Sequence, residues 1–187
     1  MDRIGLFGGS FDPPHVGHLL AVSDAVDALQ LDRVIWIPAA VQPLKGGAGA
    51  PAAARLAMTR LLCASDARFE VDPIEVDRGG LSYTVDTLRV MATRHPGAAL
   101  FLLLGTDAAA RLPEWREPEQ VAAMAEICVL TRSDGGESLP SGLRRLSTRR
   151  VDVSSTEIRA RVRAGLALTG FVPDAVAEYL RRHDVYA

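Results

Sequence analysis

Residues 8–18 read GGSFDPPHVGH and lie between two segments of opposite character. Before them, residues 4–7 (IGLF) form an apolar run without polar alternation, which is typical of a buried parallel strand. After them, apolar residues recur at helical spacing from Val16 to Leu29. Residues 34–38 (VIWIP) then read as a second strand that proline ends. This strand, helix and strand order predicts a parallel unit with a right-handed crossover.

The rest of the chain continues this alternation. Together the segments predict an α/β fold: a doubly wound, Rossmann-like parallel sheet with helices on both faces, in a single domain spanning residues 1–187. From about residue 154 onward this domain is expected to be helical. A ligand crevice should lie at the carboxyl ends of the strands. Further strands are predicted at 69–72, 100–104, 126–131 and 150–153, with 73–77 as a strand-like continuation, helices at 53–64, 84–94, 118–125 and 176–182, and a loop at 133–146.

Composition restricts the class of partner. The 187 residues carry a formal net charge of −2, which does not favour binding to long nucleic acids. The arginines at 144, 145, 149 and 150 have no interleaved aromatic residues, so we interpret them as a solvated face. No apolar run approaches the length of a membrane span, and residues 4–7 are too short for the apolar part of a signal peptide. A cytoplasmic enzyme without membrane contact is therefore expected.

The two cysteines are expected to be structural. Cys63 and Cys128 each lie inside an apolar run, and neither has a partner at the spacing of a metal site. We interpret both as buried thiols that pack as small apolar groups.

The glycines and histidines of residues 8–18 suggest a phosphate site. Two glycines after a strand let the backbone approach an anion, and the following helix begins with free N–H groups. His15 and His18 are three residues apart and share one helix face, while Gly17 is expected to leave room for a nucleotide. Such fixed donors can stabilise charge in a nucleotidyl transfer. The alternatives are a capped core histidine and a metal site, but no carboxylate or third histidine stands at ligand spacing.

This run resembles the signature of the nucleotidylyltransferases that share a His-x-Gly-His motif with class I aminoacyl-tRNA synthetases. Residues 153–159 (VSSTEIR) resemble the second signature of the adenylyltransferases in that class, although Ser-Ser-Thr-Glu is also an ordinary capping sequence. The chain is expected to be too short for a synthetase with a tRNA-binding domain. The resemblance implies ATP contacts from Gly8, Gly9, Ser10, Phe11, His15, His18, Gly105, Asp107, Ser154, Ser155, Thr156, Ile158 and Arg159.

Within this class the chain is similar to the nicotinate-nucleotide adenylyltransferases. Residues 82–84 (SYT), 105–107 (GTD) and 112–115 (LPEW) match three segments of that family. The resemblance implies that the acceptor substrate is contacted by Lys45, Tyr83, Thr84, Arg111 and Trp115. In the family pattern, Trp115 stacks on the pyridine ring and a backbone N–H near Arg111 reaches the nicotinate carboxylate. Trp36, in an apolar strand, is expected to be core.

The chain departs from this family at two positions. Leu44 stands where a histidine is usual, immediately before Lys45, so a third imidazole at the triphosphate is in doubt. Leu81 replaces a common proline, which should matter little.

The resemblance implies adenylyl transfer from ATP to nicotinate mononucleotide, giving deamido-NAD and pyrophosphate in NAD biosynthesis. His15, His18, Lys45 and Arg159 would supply positive donors, with no covalent intermediate. Mg²⁺ would accompany the triphosphate, held mainly by phosphate oxygens and water. Alternatives are nicotinamide mononucleotide or another phosphate acceptor, and a catalytically silent ATP-binding regulator. Residues 82–84 and Trp115 argue against phosphopantetheine and against cytidylyl transfer. The sequence does not determine the oligomeric state, and a homo-oligomer is one of the alternatives.

Overall fold

The computed structural model describes residues 1–44, 46–131, 140 and 142–187. Lys45, predicted to contact phosphate, lies outside the described residues. The strands are β1 (Arg3–Gly9), β2 (Arg33–Pro38), β3 (Phe69–Val71), β4 (Ala99–Gly105), β5 (Glu126–Thr131) and β6 (Arg144–Ser147). The helices are α1 (Val16–Leu29), α2 (Ala52–Cys63), α3 (Ile74–Arg78), α4 (Thr84–Arg94), α5 (Thr106–Ala110), α6 (Pro118–Met124), α7 (Ser155–Arg163) and α8 (Asp174–Arg182), with a 3₁₀ turn at Leu112–Glu114.

One parallel sheet organises these elements. Its strand order is β3-β2-β1-β4-β5-β6, so the chain adds strands first on one side of β1 and then on the other. Ile4 of β1 pairs with Arg33 of β2 and with Leu100 of β4. The order therefore reverses between β1 and β4, and a crevice at the carboxyl ends of these strands is where such sheets bind ligands. The doubly wound α/β fold predicted from the sequence is confirmed.

Helices cover both faces of the sheet. Phe7, Trp36 and Cys63 belong to a core on the face that α1, α2, α7 and α8 cover. Alternate residues of β1, Ile4 and Leu6, belong to a second core with α4 and α6. Burial on both faces explains why the strands read as continuous apolar runs. The helical part expected from about residue 154 corresponds to α7 and α8.

Two local predictions were wrong. Residues 73–77, predicted as a continuation of a strand, lie mostly in α3. The last strand is not at 150–153 but at Arg144–Ser147, inside a segment predicted as loop. Of its four residues Leu146 alone is buried, so this edge strand has too little apolar pattern to be recognised. Residues 133–139 and 141 of that predicted loop lie outside the described residues.

The interpretations of the arginines and cysteines agree with the structure. The four arginines at 144, 145, 149 and 150 are exposed, and Arg149 forms an ion pair with Asp24. Cys63 and Cys128 are buried. Across the described ranges, no helix combines the length and apolar character that crossing a membrane requires.

Candidate active site

The two histidines stand face to face at the start of α1. His15 is the N-cap residue of this helix and is 4% exposed. Its ring stacks on that of His18, with centroids 3.7 Å apart and planes inclined by 27°. The shared helix face predicted for the pair is therefore confirmed, and the rings are close enough to act on one ligand group.

The surroundings of His18 fix which of its nitrogens can donate. Its Nδ1 accepts a hydrogen bond from the His15 N–H at 3.2 Å. In the neutral ring the proton then lies on Nε2, which becomes a donor. The edge of the His18 ring meets Phe11 at a centroid distance of 5.5 Å. Phe11 itself is 3% exposed, so its side chain supports His18 from the core, and the ATP contact implied for Phe11 stays a prediction.

Gly9 and Gly17 are required by these rings. A Cβ on Gly17 would lie 3.0 Å from Cε1 and Nδ1 of His15, and one on Gly9 would lie 2.9 Å from the Phe11 ring. The space over Gly17, predicted to admit a nucleotide, is instead occupied by His15. Both glycines thus allow the aromatic rings to pack against the backbone.

The start of α7 docks on the same loop. Ser155 Oγ donates to the Pro13 carbonyl at 2.9 Å, and Arg159 Nη1 donates to the Asp12 carbonyl at 2.7 Å. Arg159 Nη2 donates to Thr156 Oγ1 at 3.1 Å. The second predicted motif is therefore brought against the first, although 142 residues separate Pro13 from Ser155.

Two members of this motif have structural roles. Ser154 caps α7, because its hydroxyl accepts from the Glu157 N–H at 3.1 Å, so its alternative reading as a helix cap is confirmed. Ile158 is completely buried, and its N–H donates to the Ser154 carbonyl. Its side chain packs α7 against the sheet, and the ATP contact that the resemblance implies for Ile158 stays a prediction.

A cavity of about 640 Å³ opens beside the glycine turn. It is lined largely by apolar residues from the strand ends of β1, β2 and β4, and by polar residues of the loops above them. Gly8 and Gly9 of the glycine turn lie on the wall of this cavity, whereas the described residues His15 and His18 do not. Predicted site residues on its wall are Tyr83, Thr84, Asp107, Arg111 and Trp115.

The aromatic residues of this cavity are placed for contact with a ligand. Trp115 is half-buried and lines the cavity, while Trp36 is fully buried in the core, as predicted. Tyr83 is the N-cap residue of α4, and the Arg116 guanidinium lies 4.9 Å from the centre of its ring. Thr84 opens α4, whose N-terminal N–H groups favour an anion.

Gly105 and Asp107 lie where β4 ends. A Cβ on Gly105 would meet no atom within 4 Å, so this residue faces open space. Asp107 is in the first turn of α5 and is exposed on the wall of the cavity. Both predicted positions are therefore accessible to a nucleotide.

Arg111 supports the neighbouring loop. Its guanidinium donates to the Leu44 carbonyl at 2.7 Å and pairs with Glu114. Its own N–H donates to the Ala108 carbonyl, so this particular N–H is engaged at the end of α5. Arg111 also lines the cavity, so its side chain fixes the loop after β2 at Leu44 beside that cavity.

A buried carboxylate on the cavity wall was missed. Glu75 is 7% exposed, and Thr87 Oγ1 donates to it at 2.6 Å. Burial raises the pKa of Glu75, while hydrogen bonds from Thr87 and Ser82 oppose that shift. Ser82 Oγ in turn accepts from the Ala40 N–H at 3.0 Å, so Glu75 ties α4 to the loop after β2. Residues 73–77 were predicted as strand, so the helical turn that places Glu75 at the site was not recognised.

A buried arginine was also missed. Arg55 is 2% exposed and donates to the carbonyls of Ser10, Ala40 and Ala50 at 2.7 to 3.1 Å. Burial lowers the pKa of Arg55, and the nearby charge of Asp12 opposes that effect. One guanidinium thus holds the loops that follow β1 and β2. A charged residue inside the helical run at 53–64 was the signal available in the sequence.

The sequence of this chain matches a known family and several named relatives. A family model described as cytidylyltransferase-like matches residues 6–161. The chain is 50% identical to a protein of Gemmatimonas aurantiaca named "Probable nicotinate-nucleotide adenylyltransferase", over 98% of this chain and 92% of that protein. A relative with the same name in Thermus thermophilus is 45% identical, over 98% of this chain and 99% of the relative.

A solved structure has the same fold at low sequence identity. It is the nicotinic acid mononucleotide adenylyltransferase of Plasmodium falciparum complexed with NaAD, with a TM-score of 0.79 and 16% identity. The match covers 100% of this chain and 98% of that chain. The fold, the two docked motifs and the full-length identity to curated relatives lead to one conclusion: the chain belongs to the nicotinate-nucleotide adenylyltransferase family.

Proposed function

We propose that the chain transfers the adenylyl group of ATP to the 5′-phosphate of nicotinate mononucleotide, giving deamido-NAD and pyrophosphate. The observation that carries this proposal is the division of the site into two adjoining parts. One part, here called the phosphate side, consists of residues 8–18 and 154–159. The other, here called the acceptor cavity, is the 640 Å³ cavity with Tyr83, Thr84 and Trp115 on its wall.

The phosphate side stabilises the reacting phosphorus. A phosphate oxygen of the acceptor forms a bond to the α-phosphorus, and the bond from that phosphorus to the bridging oxygen breaks in line, releasing pyrophosphate. His18 donates from Nε2, His15 stands against it, and Arg159 and Lys45 contribute positive charge. Catalysis is positioning and charge stabilisation, with no group forming a covalent intermediate.

The acceptor cavity selects the second substrate. Trp115 offers a half-exposed ring for stacking on a pyridine, and Tyr83 and Thr84 present the start of α4 to a carboxylate. Arg111 and Arg116 also line the cavity, as do the carboxylate residues Glu75, Asp107 and Glu114. The N–H groups at the start of α4 favour the acid over the amide, whose NH₂ group needs an acceptor.

Mg²⁺ fits this site as an ion that ATP brings with it. Within the described ranges, no group of three or more His, Cys, Asp or Glu side chains could hold a metal. Asp12 lies in residues 10–15, the loop between β1 and α1, here called the phosphate loop. Its carboxylate already accepts from the N–H groups of Gly49 and Ala50 and from the Tyr186 hydroxyl. When bound, the ion neutralises phosphate charge and orients the triphosphate.

The test is product identification with purified chain, Mg²⁺ and nicotinate mononucleotide, with ATP or CTP as donor. The proposal predicts deamido-NAD and one equivalent of pyrophosphate with ATP, and little product with CTP. Binding of ATP without product would contradict it and support a silent regulator. Preferential product formation with CTP would assign a cytidylyltransferase instead.

A further inference from the structure

Tyr186, in the last turn after α8, reaches into the phosphate loop. Its hydroxyl donates to Asp12 Oδ1 at 2.6 Å, although 174 residues separate the two. The side chain is 9% exposed. Its backbone has φ of 73°, in the left-handed region that a residue with a side chain rarely adopts. Contacts of the side chain must therefore hold this conformation.

Asp12 joins Tyr186 to two other segments, the loop before α2 and helix α7. It is 7% exposed, and its carboxylate accepts from Gly49 N–H at 2.6 Å and from Ala50 N–H at 3.0 Å. Arg159 Nη1 lies 3.6 Å from Asp12 Oδ2 and donates to the carbonyl of the same residue.

Gly49 shows how closely these groups are packed. A Cβ on Gly49 would lie 3.3 Å from each of three atoms, Arg159 Cδ, Asp12 Oδ2 and Tyr186 Cε1. The loop before α2, the phosphate loop, α7 and the end of the described chain therefore meet at one point without spare volume. A side chain added at residue 49 would therefore press on Arg159, Asp12 and Tyr186 at once.

We propose that the Tyr186 hydroxyl is a positioning group that, through Asp12, sets the direction in which the Arg159 guanidinium meets the triphosphate. Because three other donors already bond to its oxygens, the Asp12 carboxylate lies 3.6 Å from the Arg159 guanidinium, which is a long ion pair. Without the phenol, one carboxylate oxygen loses a short hydrogen bond, and the Arg159 guanidinium, 3.6 Å from the other oxygen, is a charged donor that can approach the carboxylate more closely. A closer pair turns that guanidinium away from ATP. This inference rests on the phosphate role proposed for Arg159.

The phenol is suited to a constant role. Burial, together with its hydrogen bond to Asp12 and the charge of that carboxylate, raises the pKa of Tyr186. The hydroxyl therefore stays protonated and remains a donor at every pH used for assay.

The test compares Tyr186→Phe with Tyr179→Phe, a tyrosine of α8 whose ring contacts His183 instead. For Tyr186→Phe we expect kcat/KM for ATP to fall about tenfold, the size of one hydrogen bond to a charged group, with KM for the acceptor changed by less than about twofold. Tyr179→Phe should match the wild type. Equal losses for both substrates would indicate general loosening and would overturn the inference.

A double-mutant cycle with Arg159→Lys identifies the route of the effect. If Tyr186 acts through Arg159, Tyr186→Phe should cost less than about twofold in the Arg159→Lys background. Fully additive losses would overturn the inference. An impaired Arg159→Lys with an unimpaired Tyr186→Phe would also overturn it, and would leave the proposed function intact. Wild-type activity of Arg159→Lys would overturn the role proposed for Arg159 itself.

Gly49→Ala keeps the inference testable if Tyr186→Phe does not fold. The added methyl group presses on Arg159, Asp12 and Tyr186 together, so it should reproduce the loss confined to ATP. Gly46→Ala is the matched control, because a Cβ there meets no atom within 4 Å. Equal behaviour of the two alanine variants would contradict the proposed packing.

Discussion

The phosphate side and the acceptor cavity are built by opposite means. On the phosphate side, side chains bind one another or the backbone across more than 140 residues, as Ser155 and Arg159 do with residues 12 and 13. In the acceptor cavity, by contrast, Trp115, Thr84 and Asp107 face about 640 Å³ of open space. The first is organised before any ligand arrives, and the second is left for a ligand to fill. Mutations should therefore act on turnover in one and on substrate affinity in the other.

The largest effect is expected from His18→Ala. Removing a fixed donor from the phosphate side should lower kcat by at least about a hundredfold, with a smaller change in either KM. Steady-state pyrophosphate release measures it, and thermal unfolding of the same samples controls for lost structure. Near-wild-type turnover would show that His18 has no catalytic role. It would also contradict the proposed difference between the phosphate side and the acceptor cavity.

Trp115→Ala should act mainly on affinity. Loss of the stacking surface should raise KM for the acceptor about tenfold and change kcat by less than about threefold. Trp115→Phe is the control, since it keeps an aromatic face and should recover most of the affinity. A fall in kcat as large as that of His18→Ala would show that the cavity shares in the chemistry.

These expectations depend on how far the sequence determines the site. Residues 8–18 were recognised as a phosphate site because glycines and histidines between a strand and a helix have a defined geometry, and residues 154–159 were added through their resemblance to the second signature of the family. Arg55, Glu75 and Tyr186 were missed, since their partners are backbone groups or residues distant in sequence. No local pattern encodes such pairs. Strand β6 was misplaced for a related reason, because its single buried residue leaves no periodicity to read.

Glu75→Gln should show a moderate, pH-dependent effect on stability. Burial raises the pKa of Glu75, so the folded state holds this proton more tightly than the unfolded chain does. The resulting stability is present at low pH and is lost as pH rises through the folded pKa. Because Gln has no proton to lose, the melting temperature of the variant relative to wild type should increase from pH 4.5 to pH 8. A constant or decreasing difference would show that the carboxylate is stabilised by its hydroxyl donors.

The smallest effect concerns the core beneath the phosphate side. Burial raises the pKa of Cys63 to about 12, and burial with the charge of Glu126 raises the pKa of Cys128 to about 11. Both thiols should therefore resist alkylation by iodoacetamide at pH 8 in the native state and react after unfolding. Mass spectrometry before and after denaturation counts the labelled thiols. Rapid labelling of the native chain would show that this core opens easily.

The most direct measurement compares initial rates of pyrophosphate release with nicotinate mononucleotide and with nicotinamide mononucleotide, at equal ATP and Mg²⁺. A site that stacks a pyridine on Trp115 and presents the start of α4 to a carboxylate predicts strong preference for the acid. Equal rates, or faster reaction of the amide, would contradict the assignment of the acceptor cavity as a carboxylate-reading site.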